Sequence, residues 1–264
     1  MSTLSNPPPR LYKYTAFTAQ NLENLQNQVI YFNSPRNFND PFDCSVTPNI
    51  RTPTDDDVES IRVRYLADPE ISYSVREQLQ RATTDRLRQM FMKSAKDVAA
   101  AKIKEFSETR GVSCFSECCD ELLLWAHYGG SYRGFCLEFD TTYFPKVQKV
   151  LYSAEMPSFD PVPVLRNELE SNDFMSMFSS KSPSWAYEKE WRVLHAKAGT
   201  LYRYPSEVLT GVYFGPEISQ AALEIICLIL QGQNKTVALW KGTRNPTSFK
   251  VDFTRFDYLS YLKA

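Results

Sequence analysis

Paired C-x-x-C spacing, a supply of histidine and a membrane-length apolar run are all missing from this chain of 264 residues. Without paired spacing, the six cysteines (Cys44, Cys114, Cys118, Cys119, Cys136 and Cys227) and the two histidines (His127 and His195) make a poor zinc set. Reduced structural thiols and no metal are therefore expected. The opening Met1-Ser2-Thr3-Leu4-Ser5-Asn6, followed by Pro7-Pro8-Pro9, has neither the basic onset nor the apolar stretch of a secretory signal. With no apolar run of spanning length, a cytoplasmic protein away from the membrane is expected. A formal net charge of -1 excludes a globally basic nucleic-acid binder and leaves room for one basic face.

What is present is the composition of a folded chain, 43% hydrophobic and 14% aromatic. Strand, helix and strand are predicted over 11–15, 21–25 and 29–34, with Pro35 as the stop. From Thr54 to Arg110 the spacing turns helical, opened by a cap in Thr54-Asp55-Asp56-Asp57 and closed by Gly111. Further strands are expected at 111–115, 134–140, 147–152, 185–194, 211–214, 236–240 and 249–256. Helices are expected over 121–128, with Asp120 as a cap, and 219–226. The pattern reads as one α+β domain over 1–264 with mixed, mainly antiparallel sheets and a helical insertion at 54–110.

Within that insertion, Arg76, Arg81, Arg86, Arg88, Lys93, Lys96, Lys102 and Lys104 stand against Glu77, Asp85 and Asp97, an excess of five positive charges. The excess reads as a solvated helix face or as a surface for RNA or DNA; no stacking aromatics are interleaved. The run S-W-A-Y-E-K-E-W-R-V-L at 184–194, taken as a strand, projects Glu188 and Glu190 from one face. Two carboxylates so close are either a solvated edge, with Glu190 paired to Arg192, or a working site. In F-N-D-P-F-D at 38–43, Asn39 and Asp40 suggest a side-chain-bonded turn, with Phe38 and Phe42 pinning the loop to the core. Trp125 and Tyr128, three apart, read as core, and His127 points elsewhere on their helix.

L-Y-K-Y at 11–14, F-N-D-P-F-D at 38–43, W-A-H-Y at 125–128, G-F-C-L-E-F-D at 134–140 and W-A-Y-E-K-E-W-R at 185–192 together resemble a bacterial family catalogued as a domain of unknown function. More distantly, the order of a basic residue on a first strand, a hydroxyl after a second and E-x-E on a late strand resembles ADP-ribosyltransferases of the R-S-E type. That resemblance implies a transferase sheet core and NAD as substrate. It makes Glu190 the carboxylate facing the developing ribosyl cation and Glu188 the acceptor's proton sink. Lys13 would hold a diphosphate oxygen, Ser34 the ribose, and Phe38 would cover the nicotinamide. Lys13 departs from the usual Arg or His, and Pro35 stands where Thr-Ser would follow. The expected activity is that of a toxin or phage-defence effector modifying nucleic acid through the basic segment 76–104, with an antitoxin or other regulatory partner. Alternatives are a magnesium nuclease built on Asp40, Asp43, Glu188 and Glu190, and a non-catalytic interaction module.

Overall fold

The computed structural model describes residues 6–44, 49–144, 146–165 and 178–258. Contacts group the chain into two units, one of 1–34, 110–152 and 182–264, the other of 35–109 and 153–181. The helical stretch expected at 54–110 thus shares its unit with a segment some fifty positions downstream as well as with residues just before it.

The first unit is built on an eight-stranded sheet. Its members are β1 (Arg10–Thr15), β4 (Gly111–Ser116), β5 (Phe135–Asp140), β6 (Gln148–Lys149), β10 (Glu190–His195), β12 (Leu209–Phe214), β13 (Ala238–Arg244) and β14 (Val251–Phe256). The order is β14-β13-β12-β5-β1-β4-β10-β6, and every pairing is antiparallel except β12 with β13. A parallel pair needs a crossover. Here it is the helix α7 (Gln220–Gln231), capped by Ser219, whose side chain accepts from the Ala222 N–H. The α+β class with a mixed, mainly antiparallel sheet is as the sequence predicts.

Alternation sorts β5 cleanly. Phe135, Leu137 and Phe139 enter the main core, and Cys136, Glu138 and Asp140 take the opposite face. On the core face Leu11, Phe115, Trp191, Val212 and Phe214 pack with Leu25 of α1 (Ala19–Gln26) and with Leu223, Ile226 and Leu230 of α7. A ribbon of β2 (Val29–Phe32) and β11 (Thr200–Arg203) adds Ile30 and Phe32 to that core. The opposite face is covered around Trp125 of α5 (Leu122–His127), with Tyr12, Tyr14 and Tyr213 about it. Trp125 donates through Nε1 to the Cys119 carbonyl at 2.8 Å and meets the Tyr14 ring edge-on at 5.1 Å. It is core, as predicted. The α5 cap is Glu121 rather than Asp120.

The second unit packs α2 (Asp55–Ala67), α3 (Tyr73–Arg81), α4 (Thr84–Thr109) and α6 (Pro161–Leu165) around Val58, Ile61, Leu79, Leu87, Phe91, Val162 and Leu165. The cap read at Thr54–Asp57 is a full capping box: Thr54 bonds the Asp57 N–H and Asp57 bonds the Thr54 N–H. Short strands β3 (Asn49–Ile50) and β8 (Ser158–Phe159) pair in parallel. The remaining strands are β7 (Leu151–Tyr152) of the first unit and β9 (Ser180–Lys181) of the second.

Candidate functional site

The run expected to be one strand is two elements. Pro183–Glu188 forms a 3-10 turn capped by Ser182, Lys189 takes a left-handed conformation (φ 44°), and β10 begins only at Glu190. Glu188 and Glu190 therefore do not share a strand face by period two; a left-handed residue separates them. Each is buried and separately held. Glu190 Oε1 accepts from Arg192 Nε at 2.7 Å and Oε2 from Nη2 at 3.0 Å, a closed two-point fork. Arg192 is fully buried and the Glu190 side chain is 4% exposed, so this is not the solvated pair weighed from sequence. Glu188 Oε1 instead accepts from the Tyr128 hydroxyl at 3.0 Å. Tyr128 thus carries a polar contact, where helix spacing had suggested core alone.

Backbone bonds lock the turn between the carboxylates. Ser116 Oγ donates to the Glu188 carbonyl at 2.7 Å, the Glu117 N–H to the Lys189 carbonyl at 3.2 Å, and the Glu190 N–H to the Tyr152 hydroxyl at 2.8 Å. Behind Glu190, burial and then its negative charge push the Cys114 thiol far above its usual pKa, against the opposing charge of Arg192.

Register fixes which candidates meet. Gly211, Glu138, Tyr12, Ser116 and Glu190 are successive cross-strand partners on β12, β5, β1, β4 and β10, so the side chains of the last four line one face. At one end of this row Glu138 accepts from Tyr213 at 2.9 Å and Thr210 at 2.6 Å. A Cβ on Gly211 would lie 3.3 Å from its Oε1, so the absence of a side chain there leaves the carboxylate room.

Lys13 leaves β1 on the other face, the ammonium 5.1 Å from the Phe115 ring centre. Beyond Tyr12–Ser116, β1 has no further register partner on β4, and Asn33 takes over at Val112. Asn33 and Val112 exchange both backbone bonds, so alternation aims the Cys114 carbonyl into the gap between them. Lys13 Nζ fills it, donating to that carbonyl at 3.2 Å and to Ser113 Oγ at 2.9 Å. Burial lowers the ammonium's pKa, opposed by Cys114 and Glu190. Lys13 thus leaves β1 on the face opposite Glu190, and its ammonium closes a gap in the sheet.

Ser34 follows Asn33 and so lies beside the Val112 end of β4, four residues or about 13 Å of strand from the Ser116 row. Phe38 belongs to the second unit, where its N–H bonds the Pro35 carbonyl. In the same loop Asp40 Oδ1 accepts from the Phe42 N–H at 2.9 Å, the side-chain-bonded turn predicted from Asn39-Asp40. Phe42 does not pin that loop: it is 67% exposed. Asp43 is buried against Lys181 at 3.4 Å. Among the described residues no three His, Cys, Asp or Glu side chains are grouped as a metal set. All six cysteines are free thiols.

Half of the basic residues of 76–104 already have partners. Arg76 bonds the Leu66 and Asp68 carbonyls, Arg81 pairs with Glu77, Arg88 with Asp55 and Asp85, and Lys102 with Glu105. Arg86, Lys93, Lys96 and Lys104 are exposed along α4.

Sequence reasoning missed Ser116 and Tyr128 as neighbours of the carboxylates. A signal for Ser116 existed, since G-V-S-C-F-S at 111–116 sets two serines in an otherwise apolar strand; which strand lies beside β10 had no signal. The family described as "Protein of unknown function (DUF2971)" has a model that covers residues 124–193. That stretch contains the W-A-H-Y, G-F-C-L-E-F-D and W-A-Y-E-K-E-W-R motifs and both carboxylates, and leaves L-Y-K-Y and F-N-D-P-F-D outside. No curated protein and no solved structure matches the chain, and nothing found supports the resemblance to ADP-ribosyltransferases. Among the described residues no helix is long and apolar enough to cross a membrane.

Proposed function

We propose that the protein is an NAD-dependent ADP-ribosyltransferase acting on nucleic acid in the cytoplasm, as a toxin or phage-defence effector under the control of a regulatory partner. One observation supports the reading: a hydroxyl on the first strand, a serine on its neighbour and a glutamate on the next form one cross-strand row, Tyr12–Ser116–Glu190. This version replaces Lys13 and Ser34 by Tyr12 and Ser116 and gives Phe38 no part.

In the proposed reaction the bond between nicotinamide and the ribose breaks, its electron pair leaving with nicotinamide, and an acceptor lone pair closes on the ribose carbon. Positive charge develops on the sugar, and Glu190 faces it. A carboxylate has about four lone-pair sites. Arg192 bonds both oxygens, favours the charged form and fixes its orientation. Glu188, steadied by Tyr128, takes the acceptor's proton. Ser116 is a positioning residue, holding the turn that carries both acids. Both acids are buried. The acceptor's phosphates would meet Arg86, Lys93, Lys96 and Lys104.

A second reading, a non-catalytic interaction module, is favoured by the closed Glu190–Arg192 fork, which suits an internal brace. Incubation with NAD separates the two. The transferase reading expects nicotinamide release by the parent and its loss in Glu190→Gln; a folded parent that releases none leaves the module reading.

A further inference from the structure

We infer that the chain pairs with a second copy of itself, about a twofold axis, through the outer face of α7. This helix carries a single charged residue, Glu224, over Gln220–Gln231. Leu223, Ile226, Cys227 and Leu230 face the main core. Ala221, Ile225, Leu228 and, at the C-cap, Gly232 form a second row without a polar side chain, and all four are exposed. Ile225 is 43% and Leu228 58% exposed. A helix that packs on one side only shows polar residues on the other, so this row is a face without its cover.

The spacing of the row names the occupant. Steps of four, three and four are those of the a and d positions of a helix seam, and the row reads alike from either end: small, large, large, small. In an antiparallel pair about a twofold axis, Ile225 meets the partner's Leu228 and Ala221 meets the partner's Gly232, a self-complementary contact of the kind such an axis demands. The large side chains meet at the centre, and the small ends pass without collision. The same register sets Glu224, which accepts from Gln220 at 2.8 Å, beside the partner's Gln231, an amide donor for a carboxylate. Ile229 comes to lie beside the partner's Ala222. The one charge on the helix thus faces no like charge.

The inference is independent of the transferase reading. A seam of one helix about 18 Å long is smaller than a standard interface, so the pair dissociates in the micromolar range. Sedimentation equilibrium of the full chain from about 1 to about 300 µM brackets that range. The parent's mass rises with concentration toward twice that of the chain. Leu228→Lys, at an exposed position, weakens the pair by roughly 100-fold or more, because a twofold axis counts the lost contact twice. Register is read by crosslinking with a short bismaleimide. Ala221→Cys combined with Gly232→Cys joins two copies, and either change alone does so no more than the parent through its own thiols. Within one helix the two positions are about 16 Å apart, beyond the reagent's reach. A side chain at Gly232 meets nothing closer than the Ile229 carbonyl at 3.4 Å, so this variant keeps the fold. If Leu228→Lys fails to fold, the cysteine pair decides. A parent still monomeric at the highest concentration, a folded Leu228→Lys that associates as the parent does, or a double cysteine variant that crosslinks no better than the single ones would each overturn the dimer.

Discussion

Replacing Arg192 by methionine tests the physics of the site independently of any substrate. The fork joins two buried side chains through bonds of 2.7 and 3.0 Å, so methionine keeps most of the volume and leaves Glu190 charged with its principal cation gone. Removing one partner of a buried pair costs about 3–5 kcal/mol, whereas replacing both by apolar groups of similar volume is often near neutral. Against a total stability of about 5–15 kcal/mol, the single variant loses a large share, and its midpoint falls by on the order of 10 °C. The double variant Glu190→Met with Arg192→Met regains most of that loss. Urea unfolding and thermal melts followed by circular dichroism measure both. An Arg192→Met protein within about 0.5 kcal/mol of the parent, the scatter of ordinary surface changes, would refute the buried fork. So would a double variant no more stable than the single one.

Lys13→Met should cost about 1–3 kcal/mol by leaving the Cys114 carbonyl unpaired, and leave NAD affinity unchanged in calorimetry, since Lys13 serves the opposite face. Thr54→Ala should cost about 1 kcal/mol through the lost cap. Its partner Asp57 is held below the ordinary carboxylate pKa, first by the Thr54 N–H. A lowered folded pKa gives stability that is present above the unfolded value of about 4 and lost as pH falls through the folded one. Amide exchange in the first turn of α2 should therefore accelerate only below about pH 4, and acceleration already at pH 6 would contradict the box. Gly134→Ala would set a Cβ 2.2 Å from the Thr15 carbonyl, so a loss of at least about 1–3 kcal/mol in a urea melt is expected. Burial pushes the Cys119 and Cys227 thiols up to about 12, so native protein at pH 8 should resist iodoacetamide at both and react once unfolded, as peptide mass spectrometry would show.

Periodicity located most elements, because β5 alternates strictly, α7 is apolar over several turns and Thr54-x-x-Asp57 is a local capping signal. Local chemistry also gave the Asp40 turn and the core place of Trp125. What period cannot give is adjacency. Lys13 and Glu190 both seemed available to one ligand until the Tyr12–Ser116–Glu190 register put them on opposite faces. Ser34 looked like the serine of the second strand in sequence, while the strand between β1 and β10 in space is β4, far downstream. The break at Lys189 was hidden because β-prone aromatics surround it, and tertiary bonds from Ser116 and Glu117 overrode that local preference.

The central claim is covalent transfer to nucleic acid by Glu190, and mass spectrometry of an oligonucleotide recovered after incubation with protein and NAD tests it most directly. The account predicts a gain of one ADP-ribose unit with the parent and none with Glu190→Gln of unchanged fold. An unmodified oligonucleotide beside folded, NAD-exposed parent protein, or equal modification by Glu190→Gln, would contradict it.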